Sequence, residues 1–318
     1  MSSRCPVCEG VEFRPLFTAS DRQYHTTSEQ FQVVECKQCR LMQLAPQPTP
    51  AELEQYYPTH YWFTPEDSES TAGRLEQIYR RFVLRDHLHF VERALRESQG
   101  SGPVLDVGCG GGLFLRLLRD RGFGVVGLDF SVDAARVAWS ANHVPTTCGT
   151  LSLAPFAPQS CAAITMFHVI EHLHDPRCYL KAAFDLLRPD GRLIVQAPNA
   201  GCWQFLLLGA AWNGVDVPRH LYDFRPANLD KLLDSCGFEV LRRKYFSLRD
   251  NPAGLATSLA PALEPVARRV RQVKESSSKR LVKDLLYAAL VAVALPFTIV
   301  EAACRAGSTI MIEARKKT

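Results

Sequence analysis

Apolar and polar positions along this 318-residue chain change period several times, and each change marks a different kind of element. FQVVEC (31–36) alternates with a period near two, which predicts a strand. From Ala72 to Glu97 the apolar residues of RLEQIYRRFVLRDHLHFVERALRE return at helical spacing, and Gly100-Ser101-Gly102 supplies the stop. Beyond that stop, short apolar runs alternate with helix-length segments, the pattern of a parallel α/β sheet. Strands are expected near 103–108, 124–129, 144–148, 162–168 and 191–198, with two more near 238–246 and 308–315. The last two are separated by a segment (251–306) that begins basic, in ARRVRQVKESSSKR, and turns apolar.

A hydrophobic fraction of 47% suits a globular protein, and a net charge of +4 neither indicates nor excludes nucleic acid. MSSRCPVCEG does not read as a secretory signal, so a cytoplasmic location is expected. The apolar run LLYAALVAVALPFTIV (285–300) is shorter than the ~20 residues that span a bilayer, and Pro296 interrupts it. It reads first as a buried or capping helix, next as a helix resting on a membrane surface, and last as a span. Eleven cysteines are too few for a disulfide scaffold in a chain of this length. Four of them, Cys5, Cys8, Cys36 and Cys39, form two C-x-x-C pairs, the spacing of a structural zinc ribbon. The expected organisation is a zinc ribbon over 1–45, an aromatic linker and helix over 46–100, a catalytic core over 101–250 and 307–318, and a basic/apolar helical insertion over 251–306. In the linker, Tyr56, Tyr57, Tyr61, Trp62 and Phe63 are expected to pack on a neighbour or cover a ligand.

Two stretches carry the candidate chemistry. LDVGCGGG (105–112) follows the first core strand and opens a helix. Gly108, Gly110 and Gly112 allow a sharp turn with close backbone approach, and the helix N-terminus offers free N–H groups to a nucleotide-like ligand. The spacing is Asp-x-Gly-x-Gly-x-Gly, and the acidic Asp106 suits a cationic sulfonium cofactor better than a pyrophosphate. Asp129 closes the second strand in GLDFS, where a carboxylate can accept ribose hydroxyls. The second stretch, FHVIEHLHDP (167–176), spells the metal-hydrolase pattern H-x-x-E-H. That chemistry needs both histidines one turn apart on a helix, whereas the apolar run before His168 makes it the last residue of a strand. A metal hydrolase is therefore not expected. His174-Asp175-Pro176 reads as a solvated turn.

LDVGCGGG with GLDFS resembles the class I S-adenosylmethionine-dependent methyltransferases over about residues 100–247 and the final strand. FHVIEHLHDP with LLRPDGRLIVQAPN is similar to the subgroup of ubiquinone-biosynthesis O-methyltransferases and deoxysugar C-methyltransferases. The resemblance implies a Rossmann-like, seven-stranded, mainly parallel sheet in the order 3-2-1-4-5-7-6, with S-adenosylmethionine over the carboxyl ends of strands 1, 2 and 4. It implies that Asp106, Gly108, Gly110, Gly112, Asp129, Phe130 and His168 lie at the cofactor. Thr150 stands where the family often has an acid, which shifts the adenine contact to the backbone near Leu151, and Ala162 stands where strand 4 often begins with aspartate.

By the same resemblance His172 is the candidate base, with Glu171 beside it and His220 a second base candidate; metal assistance by Glu171 and His172 stays open. The loop DVPRHLYDF (216–224) supplies Arg219, Tyr222 and, upstream, Trp212 as candidate acceptor contacts; the equal alternative is that PRHLYDF anchors the loop onto the helix PANLDKLLDSCGF that follows. The whole arrangement resembles bacterial methyltransferases of cell-surface glycan synthesis, implying a small-molecule or lipid-linked acceptor, a sugar or glycan precursor foremost, and a peripheral place on the inner membrane face. An RNA methyltransferase with a zinc module is the alternative, disfavoured by HVIEH where amino-methylating relatives carry Asn/Asp-Pro-Pro-aromatic. A non-catalytic cofactor-binding scaffold is the third reading.

Overall fold

The structure, a computed structural model, describes residues 4–58, 78–98 and 101–317. Tyr61, Trp62 and Phe63 lie outside them, as does the first part of the expected helix from Ala72.

Among the described residues, eleven strands form two sheets. The first is small and antiparallel: β1 (Phe13–Ala19), β2 (Phe31–Cys36), β3 (Met42–Leu44) and β9 (Tyr222–Asp223), in the order β1-β2-β3-β9. The second has seven strands: β4 (Val104–Val107), β5 (Val125–Asp129), β6 (Thr146–Cys148), β7 (Cys161–Phe167), β8 (Leu187–Pro198), β10 (Phe238–Lys244) and β11 (Thr309–Lys316). Its order is β10-β11-β8-β7-β4-β5-β6; β4 to β8 run parallel, and β11 is antiparallel to both its neighbours.

The central strands are apolar at consecutive positions because both faces of the sheet are covered. Leu105, Ile164, Leu193 and Val195 point to one core. Val104, Ala163 and Ile194, their chain neighbours, point to the other, against Val91, Leu115 and Leu118 of two helices, Arg85–Ser98 and Leu113–Arg119. β4 pairs with β5 on one side and β7 on the other, so chain direction across the sheet switches at its carboxyl end. Ligands of open α/β sheets bind at such a switch point.

The cysteine module is joined to the core by its sheet. β9 belongs to the loop after β8, yet it pairs with β3, Met42 opposite Asp223. Buried Glu35 on β2 accepts ion pairs from Arg225 at 3.0 Å and from Arg14.

The 251–306 insertion folds as the helices Asn251–Leu259, Pro265–Val270 and Ser277–Ala303. The expectation that 285–300 is buried does not hold: most of it faces outward. Nor does Pro296 end the helix, which runs through it to Ala303. Proline removes one N–H and crowds the preceding turn; here it sits at an exposed position within the helix.

Candidate active site

A cavity of about 1090 Å³ opens at the switch point. Its floor is built from the carboxyl ends of parallel strands: Val107 of β4 and Gly108 after it, Leu128 and Asp129 of β5, Phe167 of β7 and His168 after it, and Pro198 of β8. Ser308 and Thr309 reach the same end because β11 runs the other way. Ligand pockets hold about 300–1,000 Å³, so this one stands at the upper end of that range.

Of the residues expected at the cofactor, Gly108, Asp129, Phe130, Thr150, Leu151 and His168 line the cavity. The Asp129 carboxylate is 1% exposed and held on both oxygens, Oδ1 accepting from Ser131 N–H at 2.9 Å and Oδ2 from Gly110 N–H at 2.8 Å. Burial raises its pKa, against the lowering by those N–H groups. Phe130 is 54% exposed and meets Tyr57 edge-on at 5.9 Å. An anchored carboxylate beside an exposed aromatic face fits a ribose and an adenine.

Three expected cofactor residues are not in the wall. Asp106 lies beneath it, accepting from Thr165 Oγ1 at 2.6 Å; burial pushes its pKa up to about 7, so its acidity reaches the cavity only through the floor. Gly110 acts through its N–H on Asp129. Gly112 starts a helix in the left-handed region (φ 75°), and a Cβ there would come within 2.9 Å of Ala138 Cβ, so its small size serves helix packing.

His168 follows β7 with a left-handed backbone (φ 56°), which ends the strand. Its ring lies between Glu171 Oε1, 3.1 Å from Nδ1, and Asp250 Oδ2, 3.5 Å from Nε2. Burial alone would lower its pKa, but Asp250 and then Glu171 raise it to about 9, so it carries a proton at neutral pH. Glu171 is buried and outside the cavity lining, and its Oε2 has no partner among the described residues. His172 ends a short turn, Ile170–His172, and faces the cavity.

The two candidate bases are oriented alike. His172 Nδ1 lies 2.9 Å from the Arg219 carbonyl, and His220 Nδ1 lies 2.8 Å from the Gly214 carbonyl. A carbonyl only accepts, so each Nδ1 bears the proton and each Nε2 is the basic nitrogen. The Tyr57 hydroxyl, 3.0 Å from His172 Nδ1, shares that N–H. The rings meet edge-on at 4.7 Å, and burial followed by the His220 neighbour pushes His172 down to about 4, leaving it neutral at pH 7. Ligand atoms of Glu171, His172 and His220 lie within 4.8 Å of one another, a spacing that suits a cation.

Arg219 is not an acceptor contact. It is 0% exposed, and its donors are committed: Nε and Nη2 to Asp216, Nη1 and Nη2 to Asp21, and Nη1 also to the Tyr56 carbonyl, with the Tyr24 ring 4.6 Å away. It ties the cysteine module to the loop that carries His220. Tyr222 is also buried; its hydroxyl donates to the His174 carbonyl at 3.3 Å and does not line the cavity. Trp212 does line it. The side chains of the exposed turn at His174 and Asp175 are also engaged: His174 Nε2 meets the Pro48 carbonyl at 2.8 Å, and Asp175 caps the helix Pro176–Leu186.

Several lining residues were not singled out from sequence. Gln23, Tyr24, Arg249, Asp250 and Tyr287 all reach the cavity. Asp250 accepts from Gln196 and Ser247 and pairs with Arg249 at 2.7 Å; burial would raise its pKa, but Arg249 and then His168 hold it well below the carboxylate range. Its one signal in sequence is the helix-cap pattern Asp250-Asn251-Pro252.

The Sγ atoms of Cys5, Cys8, Cys36 and Cys39 lie within 4.8 Å of one another, with Cys5–Cys39 at 3.4 Å and Cys8–Cys36 at 3.5 Å. None is in a disulfide. Sulfur atoms around a tetrahedral zinc lie ~3.8 Å apart, given ~2.3 Å bonds, so the set fits one ion and leaves no open position for catalysis.

Comparison with known proteins agrees with this geometry. A methyltransferase-domain family model matches residues 79–243. A ubiquinone biosynthesis O-methyltransferase of Pectobacterium carotovorum subsp. carotovorum is 30% identical over 207 residues, 60% of this chain and 83% of that one. A probable S-adenosylmethionine-dependent methyltransferase of Mycolicibacterium smegmatis is 34% identical over 165 residues, 50% of this chain and 60% of that one. The crystal structure of a SAM-dependent methyltransferase from Archaeoglobus fulgidus is 18% identical, covers 75% of this chain and 99% of its own, and has a TM-score of 0.45. With a family match across half its length and a large cavity at the switch point of its sheet, this chain belongs to the methyltransferase-domain family and is an S-adenosylmethionine-dependent methyltransferase.

Proposed function

We propose that the protein transfers a methyl group from S-adenosylmethionine to a hydroxyl of a sugar or glycan precursor, free or lipid-linked, with His172 as general base. The observation that carries this reading is the pinned Nδ1–H of His172, which leaves Nε2 as a neutral proton acceptor at the cavity. Methyl transfer from a sulfonium is an in-line displacement in which the leaving group supplies the driving force; the protein aligns the two substrates and removes the hydroxyl proton. Asp129 would hold the ribose and Phe130 would lie against the adenine. When bound, the cofactor supplies the electrophilic methyl.

On the acceptor side Tyr24, Tyr57 and Trp212 offer aromatic faces, and Gln23, Asn213 and Asp216 offer polar groups, a mixture suited to a polyhydroxylated ring. The relatives' designation as O-methyltransferases supports oxygen as the acceptor atom. His220 would be a second base or proton relay, and the four cysteines would bind structural zinc. The reading also places the protein in the cytoplasm, at the inner membrane face when the acceptor is lipid-linked.

The test is incubation with methyl-labelled S-adenosylmethionine and separated lipid, sugar-nucleotide and RNA extracts. Label in a sugar-nucleotide or lipid fraction is expected. Label confined to RNA would overturn the acceptor assignment, and cofactor binding without label in any fraction would favour a non-catalytic scaffold.

A further inference from the structure

The helix Ser277–Ala303 is polarised the wrong way for a surface in water. Every exposed position from Leu281 to Ala303 is apolar, and Leu281, Leu285, Leu286, Val293, Ile299 and Val300 are each more than half exposed. The charged residues of that stretch are paired or buried against the protein instead. Lys283 pairs with Glu275 at 2.7 Å, Asp284 pairs with Arg268, and Glu301 is 0% exposed and accepts from Gln204 N–H at 3.0 Å. An ordinary surface helix shows the reverse distribution. The apolar surface continues onto Trp203–Leu208, whose Leu206 and Leu207 are 75% and 72% exposed and whose Trp203 meets Phe297 at 6.3 Å.

Three occupants could cover this face. A bilayer span needs lipid all round, but the inner side of the helix is bonded to the protein: Tyr287 shares a 2.8 Å hydrogen bond with Thr257, Glu301 holds Gln204, and the chain then enters β11. A second copy would bring like charges together. Exposed Lys274, Lys279 and Arg280 stand at one end and Arg305 at the other, so parallel and antiparallel pairing both set cation against cation. Anionic lipid satisfies both ends while its acyl chains take the apolar side.

We propose that this helix lies flat in the headgroup–acyl boundary of an anionic bilayer and holds the enzyme on the membrane surface. The docked element also forms part of the active site, because Tyr287 of this helix, with Thr257 and Glu264 beside it, lines the cavity. A lipid-linked acceptor therefore reaches the methyl group while its tail stays in the bilayer. That last step rests on the acceptor reading above, whereas membrane docking does not.

The experiment is flotation of the zinc-loaded full chain with phosphatidylcholine vesicles, with and without phosphatidylglycerol. Cofactor affinity is measured on the same samples by calorimetry, and mass by light scattering. Binding to the anionic vesicles is expected. Leu286→Gln with Val293→Gln is expected to lower the partition about tenfold or more, and Leu206→Gln with Leu207→Gln, on the neighbouring helix, to lower it as well. Lys279→Glu with Arg280→Glu should weaken binding only to the anionic vesicles. Unchanged flotation in these variants, or no flotation of the parent, overturns the proposal. So does a parent dimer that the Leu286/Val293 variant converts to monomer, which would assign the face to a second copy. Flotation without methyl transfer to any lipid-linked fraction would sink the lipid-linked acceptor alone and leave membrane docking standing.

Discussion

Replacing Arg219 with alanine tests the link between the cysteine module and the catalytic loop. The side chain is 0% exposed, as is that of Asp21, and Asp216 is 11% exposed. The substitution leaves two carboxylates without their common partner. Removing one member of a buried ion pair costs about 3–5 kcal/mol, because the remaining charge is left uncompensated, so a loss in that range is expected from urea unfolding of the zinc-loaded protein at pH 7.

The pH dependence adds a second constraint. Burial would raise the pKa of Asp21, but the Arg219 hydrogen bonds and charge win and hold it well below the ordinary 3.8. A carboxylate with a depressed folded-state pKa contributes stability above its unfolded value and loses it as pH falls below it. Without Arg219 the two carboxylates take up protons more readily, so the gap between parent and variant should narrow as pH falls from 7 toward 4. A gap under about 1 kcal/mol at pH 7, the value of an exposed pair, would refute the argument, and so would a gap independent of pH. The variant keeps the residue 219 carbonyl that orients His172 but loses the side-chain ties that fix its loop, so any folded variant should lose turnover more than cofactor affinity.

His172→Ala should keep cofactor affinity and lower kcat by about 10²–10⁴, the usual worth of a general base; full activity would remove His172 from that role. Asp129→Ala should abolish cofactor binding in calorimetry, since it deletes the carboxylate that Gly110 and Ser131 position. His168 has a folded-state pKa raised from 6.5 to about 9, so its contribution to stability is present in full below about pH 6.5 and lost as pH rises through about 9. The melting temperature should fall across that interval in the parent and more shallowly in His168→Gln. Removing zinc with a chelator, or Cys36→Ser, should lower thermal stability, since a structural zinc site couples metal binding to folding; an unchanged melting curve would leave the four cysteines without that role.

Some of this was legible in local pattern. The central strands lie at 104–107, 125–129 and 161–167 because buried parallel strands are written as short apolar runs. Asp129 could be placed because it ends one of those runs, and the cysteine cluster because C-x-x-C spacing brings two thiols together in one turn. His172 was legible as a candidate because it follows the fourth run. Arg219 was not: an arginine in a polar loop has the same letters whether it meets a ligand or is sealed by two aspartates, one of them 198 positions away. Tyr222 was hidden for the same reason, since a two-residue strand takes its partner from β3, far upstream.

The sequence by itself determined the α/β periodicity, the glycine turn before the first core helix, the four-cysteine set and the acid at the end of β5. Each depends on residues near in the chain, where spacing fixes geometry. The tertiary structure decided which polar groups face the cavity and which are used up inside, so Asp106 and Arg219 left the wall while Asp250 and Tyr287 joined it. It also decided the side on which the helix Ser277–Ala303 is covered: the run 285–300 carries no charge anywhere around its circumference, and only packing against Thr257 and Gln204 distinguishes a protein side from the exposed side.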